Sequence, residues 1–166
     1  ADPKRKLVAA VLNTIDDALA SADVDSLRWS TRSVSNLEAL LAEARDAGRV
    51  VVFTSDHGHV VERGSELRNV AGSPARWRAT TTGDATDGEV LVSGPRVLAP
   101  GGQAILAVSD GLRYASKRAG YHGGGALSEL VIPIVVAKPR GAEDPLNWVE
   151  APPQEPIWWN EPSRAD

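Results

Sequence analysis

The first third of the chain combines two apolar runs with one amphipathic segment. Continuous apolar residues at 7–12 and within 49–54 predict two buried strands of a parallel sheet. The segment between them predicts a helix over 35–47, which opens on a capping box formed by Ser35 and Glu38. Its apolar positions recur with helical spacing: Leu37, Leu40, Leu41 and Ala44. A strand–helix–strand unit of this kind implies a parallel pair with a right-handed crossover.

The second half has shorter apolar runs and more glycine. Residues 62–103 lack a helical period, and the apolar runs at 89–92 and 104–108 predict short strands. We expect an antiparallel edge here, or a loop-rich cap near the site. A helical turn and then a strand over 133–138 follow, because Pro133 suits only a strand start or an edge strand.

Length and composition describe an ordinary globular protein. The chain has 166 residues, of which 42% are hydrophobic and 24% are charged, which suffices for one domain with a core. We divide it into a domain over 1–140, with a loop-rich β insertion at about 62–103, and a Pro- and Trp-rich tail over 141–166. No run is long enough to cross a bilayer, so we expect no membrane partner.

Charge and cysteine content narrow the partners and the compartment. The formal net charge of −4 argues against a dedicated nucleic-acid-binding surface. Residues 60–120 are mildly basic, however, so nucleic acid stays open as a partner. The chain has no cysteine, which excludes disulfides and thiolate metal ligands. That absence fits a reducing compartment, and we expect a cytoplasmic protein.

Two of the three histidines directly follow a predicted strand. The sequence Asp56-His57-Gly58-His59 begins just after the apolar run 50–53, and open α/β sheets bind ligands at such a strand end. The third histidine, His122, lies in a glycine-dense turn. Carboxylate and imidazole groups suit a divalent ion such as zinc. The alternatives are that Asp56 only terminates the strand, and that His59 faces away from the site.

Asp16 and Asp17 follow the first predicted strand, just before a short helix that includes Ala18. If the two predicted strands are neighbours, their carboxyl ends meet, and Asp16 then lies near Asp56. A two-metal site needs several carboxylates and histidines around ions about 3.5–4 Å apart. The competing role for Asp16 is that of a helix N-cap, which would use the same oxygens.

Several segments, in their order along the chain, resemble the PglZ family of the alkaline phosphatase superfamily. They are 13–19 (NTIDDAL), 54–60 (TSDHGHV), 88–91 and 94–97 (GEVL and GPRV), 113–114 (RY), 120–124 (GYHGG) and 128–133 (SELVIP). The resemblance covers nearly the whole chain to about Val136. It implies an alkaline-phosphatase-like three-layer α/β/α fold with a mostly parallel sheet, of which this chain would hold the C-terminal half.

The resemblance also implies a metal-dependent phosphoric-ester hydrolase, either a phosphatase or a phosphodiesterase. Such enzymes use two divalent ions that offset the charge on the phosphoryl oxygens; zinc is the ion expected, with manganese or magnesium as alternatives. The residues that the resemblance places at the ions are Asp56 and His57 at one, Asp16 and His122 at the other, with Asp17 and His59 as additional candidates.

The nucleophile of the superfamily, a Thr or a Ser, follows an early strand and a metal-binding Asp. We find no such segment before Leu7, so we expect the nucleophile upstream of Ala1, in the other half of the same domain. Thr54 and Ser55 follow the wrong strand for this role. We therefore expect this chain to be inactive alone.

Arginines are the candidates for binding a substrate phosphate, because a guanidinium can donate two parallel hydrogen bonds to it. The candidates are four of the arginines that follow the Asp-His-Gly segment: Arg63, Arg76, Arg78 and Arg96. Of these we favour Arg63 and Arg96. For each the alternative is an ordinary surface or ion-pair role.

The family resemblance further implies a place in a bacterial phage-defence system of the Pgl/BREX kind, beside a methyltransferase and other large components. The competing hypothesis is a non-catalytic binding or assembly module of such a complex. The Pro- and Trp-rich tail and the expected absence of a nucleophile favour that second hypothesis. The substrate stays open among nucleic acid, a small phosphate ester and a phosphoprotein.

Overall fold

A computed structural model describes residues 5–21, 29–80, 83–145, 147–149 and 151–152. The helices are α1 (Thr14–Leu19), α2 (Leu37–Asp46) and α3 (Leu127–Leu130), with a 3₁₀ turn at Pro100–Gly102. The strands are β1 (Val51–Phe53), β2 (Val60–Val61), β3 (Glu66–Leu67), β4 (Trp77–Ala79), β5 (Glu89–Ser93), β6 (Gln103–Ala107), β7 (Leu112–Arg113), β8 (Gly120–Tyr121) and β9 (Val135–Ala137).

The described strands form four small sheets. The largest is antiparallel, with β6 between β4 and β5. Two antiparallel ribbons, β1–β9 and β2–β8, and one short parallel pair, β3–β7, complete the set. The central strand β6 is paired along both of its edges, and its residues Ala104, Ile105 and Ala107 are buried.

The apolar core is small and lies beside the end of β6. Ala107, Leu112 and Tyr114 are buried together, and the partly buried Val70 packs against them. Next to this cluster the guanidinium of Arg76, fully buried, donates to the carboxylate of Glu129 and to backbone carbonyls. A buried charge pair therefore lies directly against this apolar cluster.

Several sequence predictions are confirmed. The helix predicted over 35–47 is α2, and Gly48 follows it with a φ of 64°. The apolar runs of the second half are strands β5, β6 and β9, and β5 and β6 pair antiparallel as expected. The helical turn predicted before β9 is α3.

The predicted capping box is wrong. The residue before α2 is Asn36, which lies in the left-handed region with a φ of 64° and makes no side-chain capping bond. The carboxylate of Glu38 instead accepts a hydrogen bond from the hydroxyl of Thr31 at 3.1 Å and lies 3.5 Å from Arg32 Nε. Glu38 therefore contacts the loop before α2 and does not cap the helix.

The strand predicted at 7–12 is also wrong. These residues have no regular secondary structure, and Leu7 and Val11 are 85% and 86% exposed. Within the described residues β1 pairs with β9 and antiparallel, so the predicted parallel crossover unit is not present there. An apolar run becomes a strand only when a neighbouring strand accepts its hydrogen bonds, and no strand in the described part of the chain does so for this run.

The three-layer α/β/α architecture stays a prediction. The described sheets are small and mostly antiparallel, so a three-layer fold around a mostly parallel sheet, with 1–140 as its C-terminal half, is an expectation from the resemblance. Residues 153–166 of the predicted tail lie outside the described residues. None of the helices described is long and apolar enough to span a membrane.

Candidate metal centre

The β2–β8 ribbon brings two of the three histidines together. Val60 pairs with Tyr121 and Val61 with Gly120 in antiparallel register. His59 comes immediately before this pairing and His122 immediately after it, so the register places them opposite each other at one end of the ribbon. Their ring centroids are 5.3 Å apart. His59 and His122 are 63 positions apart in sequence, and they are neighbours because two residues of β2 pair with two residues of β8.

Helix α1 places Asp16 at the same end of the ribbon. Leu19 on this helix is buried, and a Cβ built on Gly120 of β8 would lie 2.9 Å from its Cδ2, which shows how closely the helix and the ribbon pack. Asp16 lies three residues before Leu19 and therefore on the same face of the helix. Its Oδ1 is 2.7 Å from Nε2 of His59.

A close backbone contact fixes the position of His57. The N–H of Gly58 donates to the carbonyl of Glu129 at 2.8 Å, and a Cβ on Gly58 would lie 2.1 Å from the Ser128 carbonyl oxygen. Only glycine permits this approach between the loop and α3. The loop therefore reaches the ribbon with the ring of His57 parallel to that of His122, at a centroid distance of 4.2 Å and an angle of 7°.

A second contact sets the tautomer of His57. Its Nδ1 lies 3.0 Å from the carbonyl oxygen of Gly58. A carbonyl can only accept, so Nδ1 donates in this contact, and in the neutral ring Nε2 is then the nitrogen with the lone pair. Metal-binding histidines commonly have this arrangement, in which one ring nitrogen is held by the protein and the other is left for the ion.

Three donor atoms converge at the end of the ribbon. Asp16, His57 and His59 each offer one ligand atom, and these atoms lie within 4.8 Å of one another. Nε2 of His59 is buried, has no hydrogen-bond partner among the described residues, and lies 2.7 Å from Oδ1 of Asp16. One oxygen and two imidazole nitrogens form a donor set that fits a borderline divalent ion such as zinc.

The electrostatics favour a neutral His59. Burial lowers the pKa of His59 below its usual range, and the rings of His57 and His122 add to this effect. The carboxylate of Asp16 opposes it and raises the pKa, but to a lesser extent than burial lowers it. A neutral imidazole beside an ionised carboxylate has the charge and the lone pairs that a cation requires.

The turn that follows His122 is held by a buried carboxylate. Glu129 accepts hydrogen bonds from the backbone N–H groups of Gly124 at 2.9 Å and Ala126 at 3.1 Å. The same carboxylate is paired with Arg76, whose Nη2 lies 3.0 Å from Oε2. This buried pair fixes the backbone on the C-terminal side of His122.

No family model, curated protein or solved structure matches this chain. The PglZ family therefore stays a resemblance of sequence segments. The geometry of the described residues is what supports a metal site.

The structure brings most of the sequence-predicted ligands into one place. His57 and His122 stack, and Asp16 lies beside them. Asp56 is at the margin: its side chain is 88% exposed, and its Oδ1 is 3.6 Å from His57 Nε2. Asp17 is exposed and lies outside the converging group. The N-cap alternative for Asp16 is wrong, because Asn13 occupies that position.

His59 lies closer to the centre of the candidate metal site than the sequence indicated. The chain alone could not decide which way this residue faces, since it lies two positions beyond His57 at the start of a strand. The register of β2 with β8 decides it. A sequence signal did exist, because His59 directly precedes the apolar pair Val60-Val61 and His122 directly follows Tyr121.

The four arginines predicted as phosphate-binding candidates differ in their contacts and in whether they line a cavity. Arg76 and Arg78 are engaged with Glu129 and Glu89, so neither guanidinium is free for a phosphate. Arg63 lines a cavity that also contains His59, whereas Arg96 lines neither of the two cavities at the site. Sequence reasoning missed Arg118, which lines the second cavity. No motif marked it, because its relevance depends on how the chain folds around His122.

Proposed function

We propose that this chain carries the divalent-metal site of a phosphoric-ester hydrolase, either a phosphatase or a phosphodiesterase. One observation supports the metal site: Asp16, His57 and His59 bring ligand atoms within 4.8 Å of one another, around a buried His59 nitrogen that lacks a hydrogen bond. The hydrolase activity is inferred from the resemblance to the PglZ family. Zinc is the ion we expect, with manganese or magnesium as alternatives.

The geometry suggests how the histidines divide between two ions. The rings of His57 and His122 are parallel, and a ring nitrogen binds a metal in the plane of its ring. Two stacked rings cannot direct their lone pairs onto one ion. Asp16, His57 and His59 would hold one ion, and His122 would serve a second. Asp56, beside His57, stays a candidate ligand.

The residues of the chain prepare this site before any ion binds. The contact of Gly58 with α3 positions the loop, the carbonyl of Gly58 selects the tautomer of His57, and burial keeps His59 neutral. A bound divalent cation would polarise a phosphoryl oxygen and offset the charge that develops on it.

Zinc titration by calorimetry tests the proposal. His59→Ala and Asp16→Asn each remove one donor, and we expect each to lower zinc affinity at least about tenfold. The control is Asp46→Asn on α2, which removes an exposed carboxylate outside the converging group and should leave the affinity unchanged. No zinc binding, or equal binding by the wild type and His59→Ala, would contradict the proposal.

A second candidate function is that of a binding or assembly module in a defence complex. The observation that favours it is a group of large apolar side chains exposed in and after α3: Leu127, Leu130, Val131 and Ile134. Under either hypothesis the resemblance implies partners among the proteins of a Pgl/BREX-type phage-defence system. Stable co-purification with the methyltransferase of such a system, without zinc binding, would favour the assembly role.

A further inference from the structure

Two cavities meet at His59. The larger has a volume of about 380 Å³ and is also lined by Arg63, Asp110 and Ser128. The smaller, of about 300 Å³, is lined by the candidate ligands Asp16, His59 and His122 and by Arg118. The smaller cavity is therefore the one that opens directly onto the candidate metal centre.

Among the described residues, Arg118 is the one lysine or arginine that lines the smaller cavity. Its backbone N–H donates to the hydroxyl of the buried Tyr121 at 3.1 Å, which ties this stretch of chain to β8. Within the described ranges its guanidinium has no ion-pair or hydrogen-bond partner. Four other arginines each bind carboxylate, carbonyl or hydroxyl oxygens: Arg68, Arg76, Arg78 and Arg113.

The charges favour an anion in the smaller cavity rather than the larger one. In the larger cavity the carboxylate of Asp110, which accepts a hydrogen bond from Ser128 Oγ at 3.1 Å, faces the same space as Arg63 and would repel an anion. In the smaller cavity the carboxylate is that of Asp16, whose charge a bound cation would offset. The remaining wall is made of small and apolar residues such as Pro74, Ala75 and Ala115.

We infer that Arg118 binds the phosphate group of the substrate and holds it beside the metal centre. A guanidinium suits this task because it stays charged and can donate two parallel hydrogen bonds to phosphate oxygens. The inference rests on the proposed metal-dependent function, since the phosphate would lie between the ions and Arg118. Arg118 thereby takes the place of Arg96, which the sequence favoured but which lines neither cavity.

Titration of inorganic phosphate into the zinc-loaded protein, followed by calorimetry, tests this inference without relying on turnover. Arg118→Ala should weaken phosphate binding about tenfold or more, because a charge-assisted hydrogen bond is lost. Arg118→Lys should recover part of the affinity, since it keeps the charge but not the paired donors. The matched control is Lys117→Ala, which removes the neighbouring positive charge outside both cavities.

The two proposals fail in different ways. If zinc binds as expected but phosphate affinity is unchanged in Arg118→Ala, or falls equally in Lys117→Ala, the role of Arg118 is overturned and the metal site stands. A zinc-loaded wild type that binds no phosphate also overturns it. If the wild type binds no zinc, both proposals fall. An Arg118→Ala variant with normal zinc affinity and lowered phosphate affinity supports both.

Discussion

At the scale of single residues, Glu129 links the core to the candidate site. It is almost fully buried, and its carboxylate accepts from Nε and Nη2 of Arg76 and from two backbone N–H groups in the turn after His122. Arg76 in turn donates to the carbonyls of Ser109 and Leu112. Removal of one partner of such a pair leaves the other charged and without compensation in the interior.

Arg76→Met should therefore be strongly destabilising. We expect the free energy of unfolding to fall by about 3–5 kcal/mol, as for other buried ion pairs that lose one member. Urea denaturation followed by circular dichroism measures it. The control is Arg96→Met, an exposed arginine, for which a change within about 0.5 kcal/mol is expected. Equal losses for the two variants would show that the buried pair does not matter to stability.

The sequence indicated some of these residues and not others, for physical reasons. His57 and His122 could be predicted, because each lies in a glycine-containing turn that follows or precedes an apolar run. Neither the orientation of His59 nor the position of Arg118 beside the site could be predicted, since the first depends on the register of β2 with β8 and the second on the walls of a cavity.

At the scale of elements, the site depends on contacts of the β2–β8 ribbon and its adjoining loop with two short helices. Helix α1 packs against the ribbon through Leu19 and Gly120, and α3 lies against the loop through Gly58. Helix α2 was predicted well because helical periodicity is a local property. The run 7–12 was not, because a strand exists only where another strand pairs with it.

Gly58→Ala tests the contact between the loop and α3. The new Cβ would lie 2.1 Å from the Ser128 carbonyl oxygen, and because that atom belongs to the backbone, only a backbone shift can relieve the clash. We expect a loss of about 1–3 kcal/mol in stability, and a weaker affinity for zinc because His57 moves with its neighbour. The control is Gly111→Ala, whose new Cβ would lie 3.5 Å from Ser109 Oγ, an ordinary contact. Unchanged stability and zinc affinity in Gly58→Ala would show that the loop is not held in this way.

At the scale of the whole molecule, stability depends on carboxylates that are buried and ionised. Burial by itself raises the pKa of Glu62, but hydrogen bonds from Ser65, Tyr121 and the backbone of Gly64 together lower it to about 2. The guanidinium of Arg78 holds the pKa of Glu89 well below its usual range, against the effect of burial, with help from the hydroxyl of Tyr114. A core with few apolar side chains relies on such networks, which composition alone cannot reveal.

These pKa values predict how stability depends on pH. Glu62 has a folded-state pKa of about 2 against an ordinary value of 4.5, so the unfolded chain takes up its proton first as the pH falls. The stabilisation is complete above about pH 4.5 and is lost progressively toward pH 2. It amounts to about 3 kcal/mol for Glu62, at about 1.4 kcal/mol for each pKa unit, and Glu89 contributes in the same direction.

Urea unfolding of the metal-free protein at steps from pH 6 to pH 3 measures the loss. Glu62→Gln should be less stable at pH 6 and should show a shallower decline with pH. A free energy of unfolding that stays level between pH 5 and pH 3 in the wild type would mean that these carboxylates are not the buried, hydrogen-bonded groups on which the core depends.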